Sequence, residues 1–276
     1  MIKAKSLATA VLATASALVL AAGPALAATA IQYTPILLTQ AELDTNWMAD
    51  RTTPSGGYGS VTFAERTDVL EIRVASENAS ATEGFNRTEG LKRSVTDVDA
   101  LRVDLYIDPE WISSDVPVRA GLWGVGNDST GAIAAYPIIE FTTRGVDGFV
   151  GWRSWDGVNG GWTNHPNLPY LPGKWATLEI FHSPDSSEFG LTINSLPAIS
   201  NAAGGAVTFS AVILNQYNYA GGGTDYATHW SQFATGQLLN FAGSKADCSD
   251  GGWAGYGFKN QGQCIASLVA ADGATG

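Results

Sequence analysis

The chain has 276 residues, with 15 basic against 26 acidic side chains and a formal net charge of −11. An acidic chain without a basic run repels nucleic-acid phosphates and anionic membranes, which sets both aside as partners. Charged residues make up only 15% of it, beside 32 glycines, 9 tryptophans, 9 tyrosines and 10 phenylalanines, so it reads as an aromatic-rich folded β protein and not a disordered one.

Lys3 and Lys5 open the chain and an uncharged stretch runs from residue 7 to 22. Pro24-Ala25-Leu26-Ala27 then places small residues at −3 and −1 of a cut after Ala27. This is the layout of a secretory signal peptide. The mature chain is therefore expected outside the cell from residue 28, with no membrane insertion after signal cleavage. Losing Lys3 and Lys5 takes the net charge from −11 to −13. No later segment holds the ~18 consecutive apolar residues that a membrane-spanning helix needs.

Residues 40–48 suggest one short helix. Strands are predicted at 57–63 and at 69–74, where Val69-Leu70-Glu71-Ile72-Arg73-Val74 alternates. Residues 101–108 alternate most clearly, with Leu101, Val103, Leu105 and Ile107 on one face and Arg102, Asp104, Tyr106 and Asp108 on the other. Further strands are predicted at 119–125, 136–142, 149–155, 176–181, 189–193, 207–217 and 226–233. Turn signals separate them, among them Asn127-Asp128-Ser129, Asp156-Gly157, Asn159-Gly160, Pro172-Gly173 and Gly221-Gly222-Gly223. No repeated crossover helix is visible, which leaves an all-β, antiparallel two-sheet sandwich over residues 28–240. Residues 241–276 form a small tail. Its Cys248 and Cys264 are the only cysteines, and in an exported chain two cysteines are expected to pair. Closing that loop is worth about 3 kcal/mol in the chain-entropy account.

Thr177-Leu178-Glu179-Ile180 and the closing strand Asp225-Tyr226-Ala227-Thr228-His229-Trp230-Ser231-Gln232-Phe233 resemble the concanavalin A-like lectin/glucanase jelly roll, over roughly residues 34–233. The resemblance implies the two-sheet fold. It does not select a function, because that fold class holds lectins, laminin-G-like modules, glycosidases and polysaccharide lyases. Cys248, Gly251-Gly252-Trp253, Phe258-Lys259-Asn260-Gln261-Gly262 and Cys264 resemble a short C-terminal motif of exported actinobacterial proteins, with no chemistry attached to it.

The richest segment is 149–170. Arg153 and Trp155 share one strand face, on which they are expected to lie open, followed by Asn159, Trp162 and Asn164. A sugar ring offers an apolar face to an aromatic side chain and a rim of hydroxyls to amides and guanidiniums. Asn215 and Tyr217 alternate onto one face of a second strand and suit the same ligand. The expected function is binding of a neutral polysaccharide without catalysis. Two alternatives stay open: a glycoside hydrolase or lyase, and an extracellular structural or adhesion protein. The glucanases of this fold carry Glu-x-Asp-x-x-Glu on one strand, which is missing here. The catalytic alternative therefore rests on Glu140 and Glu179 meeting across strands at the carboxyl spacing that glycosidases use. Cofactor need is expected to be none. Only a structural calcium is offered, by the oxygen-rich loops at Asn127, Asp128 and Asp156.

Overall fold

The computed structural model describes residues 30–78, 87–113, 117–144, 148–182, 187–196, 199–219, 225–239, 248–251, 253 and 260–265. The expected signal peptide, the glycine run 221–223, and Phe258 in the tail lie outside the described residues. Among the described ones the sandwich holds sixteen strands and two short α-helices, and residues 261–265 of the tail are also helical. In chain order they begin with β1 (Ala30–Pro35), α1 (Gln40–Asn46), β2 (Trp47–Ala49), β3 (Tyr58–Phe63) and β4 (Arg66–Val74). Then come β5 (Thr88–Val98), β6 (Ala100–Ile107), α2 (Pro109–Ser113), β7 (Arg119–Asn127), β8 (Ile133–Ala135) and β9 (Ile138–Thr142). The last group is β10 (Gly151–Asp156), β11 (Gly161–Asn164), β12 (Lys174–His182), β13 (Glu188–Ile193), β14 (Ile199–Ala202), β15 (Thr208–Tyr217) and β16 (Tyr226–Leu239).

Two antiparallel sheets hold these strands. Sheet A runs β14-β13-β12-β6-β16-β4-β3, with β1 also paired to β16. Sheet B runs β11-β10-β9-β7-β15-β5-β2, with β8 also paired to β7. The core between them is built by the alternation read above. Leu101, Val103, Leu105 and Ile107 are fully buried, as are Leu70, Ile72, Leu178 and Ile180 from the neighbouring strands. Sheet B supplies Leu91, Leu122, Ile139, Phe141, Trp152 and Leu214 to the same cluster. Each such side chain contributes about 1.5–3 kcal/mol of burial.

The departures from expectation have local causes. The helix stops at Asn46, two residues early, because Trp47 turns extended and packs edge-on against Phe233 at 5.5 Å. Thr39 caps its start by accepting from the Glu42 amide. The strand expected over 136–142 is split by Pro137, which has no N–H to give to a ladder; its carbonyl instead accepts from Gly124. The closing strand continues past 233 through a bulge at Gln232, which has φ 51°. Strands β1, β2, β5, β8, β11 and β14 were not expected from the pattern. In the tail Cys248 and Cys264 are bonded, and with Trp253 and Ile265 they form a cluster separate from the sandwich core.

Candidate functional site

Sheet B buries apolar side chains on both of its faces. Away from the inter-sheet core, Trp123, Val125, Ile138, Ala211 and Ile213 form a second cluster, with Trp155 and Trp162 half-buried against it. Cross-strand register explains the grouping, since residues opposite one another on one face are neighbours. One row reads Lys92, Ile213, Trp123, Ile138, Trp155, Trp162. The next row reads Gly90, Asn215, Gly121, Glu140, Arg153, Asn164. Beyond it Tyr217 lies opposite Thr88, and Arg119 lies opposite Thr142.

Two depressions open on these rows. The first, of about 470 Å³, is lined by Asp50, Arg51, Trp123, Tyr136, Ile138, Trp155 and Trp162. The second, of about 250 Å³, is more enclosed by polar groups: Thr88, Arg119, Glu140, Asn215 and Tyr217. Trp123 and Trp162 line both, so the two adjoin. Gly121 keeps the floor of the second low. A Cβ there would lie 2.9 Å from Trp123 Nε1, closer than packed atoms approach.

The charges under this floor are arranged in pairs. Arg153 was expected on an open face. It does share a face with Trp155, but it is only 2% exposed. Its Nε and Nη2 both donate to Glu140 Oε1, at 2.8 and 2.5 Å, and the Trp162 ring covers it at 3.8 Å. The reason is register: Arg153 and Glu140 are directly opposite in adjacent strands. Burial pushes the Glu140 carboxyl up, and the Arg153 and Arg119 guanidiniums oppose that shift. Asp50 pairs with Arg51, whose guanidinium lies 5.0 Å from the Trp123 ring and donates to Thr88 Oγ1 at 3.0 Å.

Among the described residues, two donors on the second depression have no hydrogen-bond partner. Asn215 is 1% exposed and its Nδ2 has none; neither does Arg119 Nε. Arg119 instead lies against Tyr217, 4.5 Å from the ring centre. A buried donor left unmade costs about 1–3 kcal/mol, so these two atoms mark where an acceptor would be welcome.

The remaining candidates separate. Asn164 ends the polar row at β11. Asn159 sits in the β10–β11 turn, where its Nδ2 donates to Asp156 Oδ2 at 2.8 Å. Glu179 is not near Glu140: it lies on the outward face of sheet A, where it accepts from Thr192 Oγ1 at 2.7 Å, while Glu140 lies on the outward face of sheet B. The whole core separates them, which removes the proposed carboxyl pair. The calcium candidates use their oxygens locally. Asp128 Oδ1 accepts from the Thr130 amide and hydroxyl and from the Ala132 amide. Asp156 Oδ1 accepts from the Val158 and Asn159 amides. Asn127 donates to Gly131 and accepts from Ser210.

Sequence reasoning missed Trp123, Arg119, Thr88, Tyr136, Asp50 and Arg51. A signal was present for the first two: in Arg119-Ala-Gly121-Leu-Trp123 the odd positions put a cation, a gap and a ring on one strand face.

No family model matches the sequence, and no curated protein matches it either. Among solved structures, a GlcNAcα1-4Gal-releasing endo-β-galactosidase from Clostridium perfringens is similar at 12% identity, with a TM-score of 0.52 over 79% of this chain and 64% of that one. The chain has the concanavalin A-like jelly-roll fold. A family 16 endo-glucanase from Bacteroides ovatus gives 8% identity and a TM-score of 0.46, over 70% of this chain and 94% of that one. A sialidase gives 13% and 0.45, over 78% of this chain. The jelly roll thus spans 19% of that sialidase and 64% of the galactosidase.

Proposed function

We propose that this jelly roll is an exported, non-catalytic carbohydrate-binding protein that lays a polysaccharide across the outward face of sheet B. The observation that carries the reading is the half-buried pair Trp155 and Trp162, on the floor made by buried Trp123, set beside the unpaired Asn215 amide. Rings to hide the apolar face of a sugar and a donor to meet its oxygens stand one residue row apart. That the similar galactosidase acts on a glycan agrees with the reading, although a shared fold does not by itself transmit a ligand. Export is supported by the N-terminal charge, apolar and small-residue pattern, and by the disulfide.

Binding is favoured over cleavage by the carboxylates. Glu140 has Oε1 committed to Arg153, and the same-face positions before it on the chain are Ile138 and Tyr136. Asp50, on the first depression, is likewise committed, to Arg51. Glycosidases need their carboxyl groups about 5–9.5 Å apart. A glycan array probed with the protein from residue 28 onward tests the reading, followed by assay of reducing ends on each glycan retained. Retention without new reducing ends is expected. Release of reducing ends would reassign the protein to catalysis, and no retention on any glycan would overturn the reading.

A further inference from the structure

Within the groove just described, and resting on that reading, the two depressions differ in charge. In the first, Asp50 is balanced by Arg51. On the second, Glu140 faces two cations, Arg153 in contact and Arg119 further off. Among the described residues Arg119 forms no ion pair with a carboxylate. The balance on the second depression is therefore one positive charge in excess, on a chain whose net charge is −11. Its two unpaired buried atoms, Asn215 Nδ2 and Arg119 Nε, are both N–H donors. A neutral sugar hydroxyl can accept from these donors but brings a further donor of its own and no charge. A carboxylate brings acceptors only, and hydrogen bonds to a charged acceptor are about twice as strong as neutral ones.

We infer that the depression bounded by Thr88, Arg119, Glu140, Asn215 and Tyr217 is a subsite for an acidic sugar, a hexuronate whose carboxylate accepts from Asn215 Nδ2 and Arg119 Nε. The half-buried Trp162 ring faces its pyranose, over buried Trp123, and the first depression takes the next sugar of the chain. The overall negative charge disfavours long polyanions at a distance, so the recognition belongs to one ring and not to a charged polymer. Glu140 does not oppose it, because Arg153 already neutralises that carboxyl with two hydrogen bonds to its Oε1.

The test uses matched pairs. Oligogalacturonate, oligoglucuronate and oligomannuronate tetrasaccharides are each titrated calorimetrically beside the same compound after carboxyl reduction to the neutral hexose. At least one acidic member is expected to bind about tenfold more tightly than its reduced twin, the margin of a charge-assisted hydrogen bond. Arg119→Gln is expected to close that gap, and Arg119→Lys, which keeps the cation and loses Nε, to narrow it. Equal binding within every pair, or preference for the reduced twin, would overturn the acidic subsite. If the neutral twins bind and Trp162→Ala weakens them, the groove reading survives that failure. If no member binds, both fall. The wild-type comparison decides the matter even where a variant does not fold.

Discussion

The outward faces of the two sheets carry the same kinds of residue and do different things with them. On sheet A, Arg66 donates to Asp104 Oδ2 at 2.7 Å and lies 4.2 Å from the Trp175 ring. Asp104 also accepts from Thr177. Phe63 stacks on His229 at 3.6 Å and meets Tyr106 edge-on, and Tyr106 meets Trp175 edge-on. The unpaired nitrogens there, Trp175 Nε1 and His229 Nδ1, belong to rings already packed on neighbours. On sheet B an arginine, a carboxylate and a tryptophan again assemble, as Arg153, Glu140 and Trp162. They form a floor, and Gly121 in the next strand leaves a space above it, lined by Asn215 and Arg119, whose Nδ2 and Nε have no hydrogen-bond partner among the described residues. An arginine–carboxylate–tryptophan set thus makes a filled surface when its neighbours are large and the floor of an open depression when a neighbour is glycine.

Stability should separate the two faces most sharply. Arg153→Ala strands Glu140 in the interior and is expected to cost about 3–5 kcal/mol in urea unfolding. Asp104→Ala, whose partner Arg66 is 27% exposed, should cost about 1–2 kcal/mol. Equal costs would break the comparison. Binding should separate them in the other direction. Trp162→Ala is expected to lower affinity for a retained glycan about tenfold, as loss of a stacked ring does, while Trp175→Ala leaves it unchanged. Because Trp162 also covers Arg153, its removal should cost about 1–2 kcal/mol of stability as well. An unchanged affinity would move the site elsewhere.

The smallest effect is one of pH. Burial holds the His229 imidazole below its ordinary value, with Glu71 opposing. The unfolded chain then binds a proton before the folded one does, so His229 contributes stability above pH 6.5 that is lost as the pH falls below it. Burial lowers His165 and His182 in the same direction. His229→Gln should flatten part of the loss of stability between pH 7 and pH 5, followed by thermal unfolding, and should leave glycan binding as it was. A steeper loss in the variant would contradict the burial argument.

Much of sheet A was legible because one face of its strands is polar. In β6 and β12 the period of two survives in the residue types themselves. Sheet B hides that signal. Residues 120–127 of β7 are buried without alternation, since the core lies on one side and the Trp123 cluster on the other. Strand β5 gave no signal either, because Glu89 turns inward to Ser55 and Asn218, a bond between residues far apart in sequence. At the site, Trp155, Trp162, Asn215 and Tyr217 could be picked out by type and spacing. The fate of Arg153 could not, because it depends on Glu140, 13 residues earlier, falling directly opposite in the register. Arg119 and Trp123 went unnoticed for the same reason: a strand that looks like core from its composition has its other side on the groove.

The order of strands has a consequence for how the molecule is made. β15 lies between β7 and β5, and β16 lies between β6 and β4. The last two strands of the sandwich are thus the central stitch of each layer. Until they are synthesised, every earlier strand belongs to a fragment with an open gap on its inner side. Neither layer can close early, and the nascent polypeptide stays threadable until nearly its whole length exists.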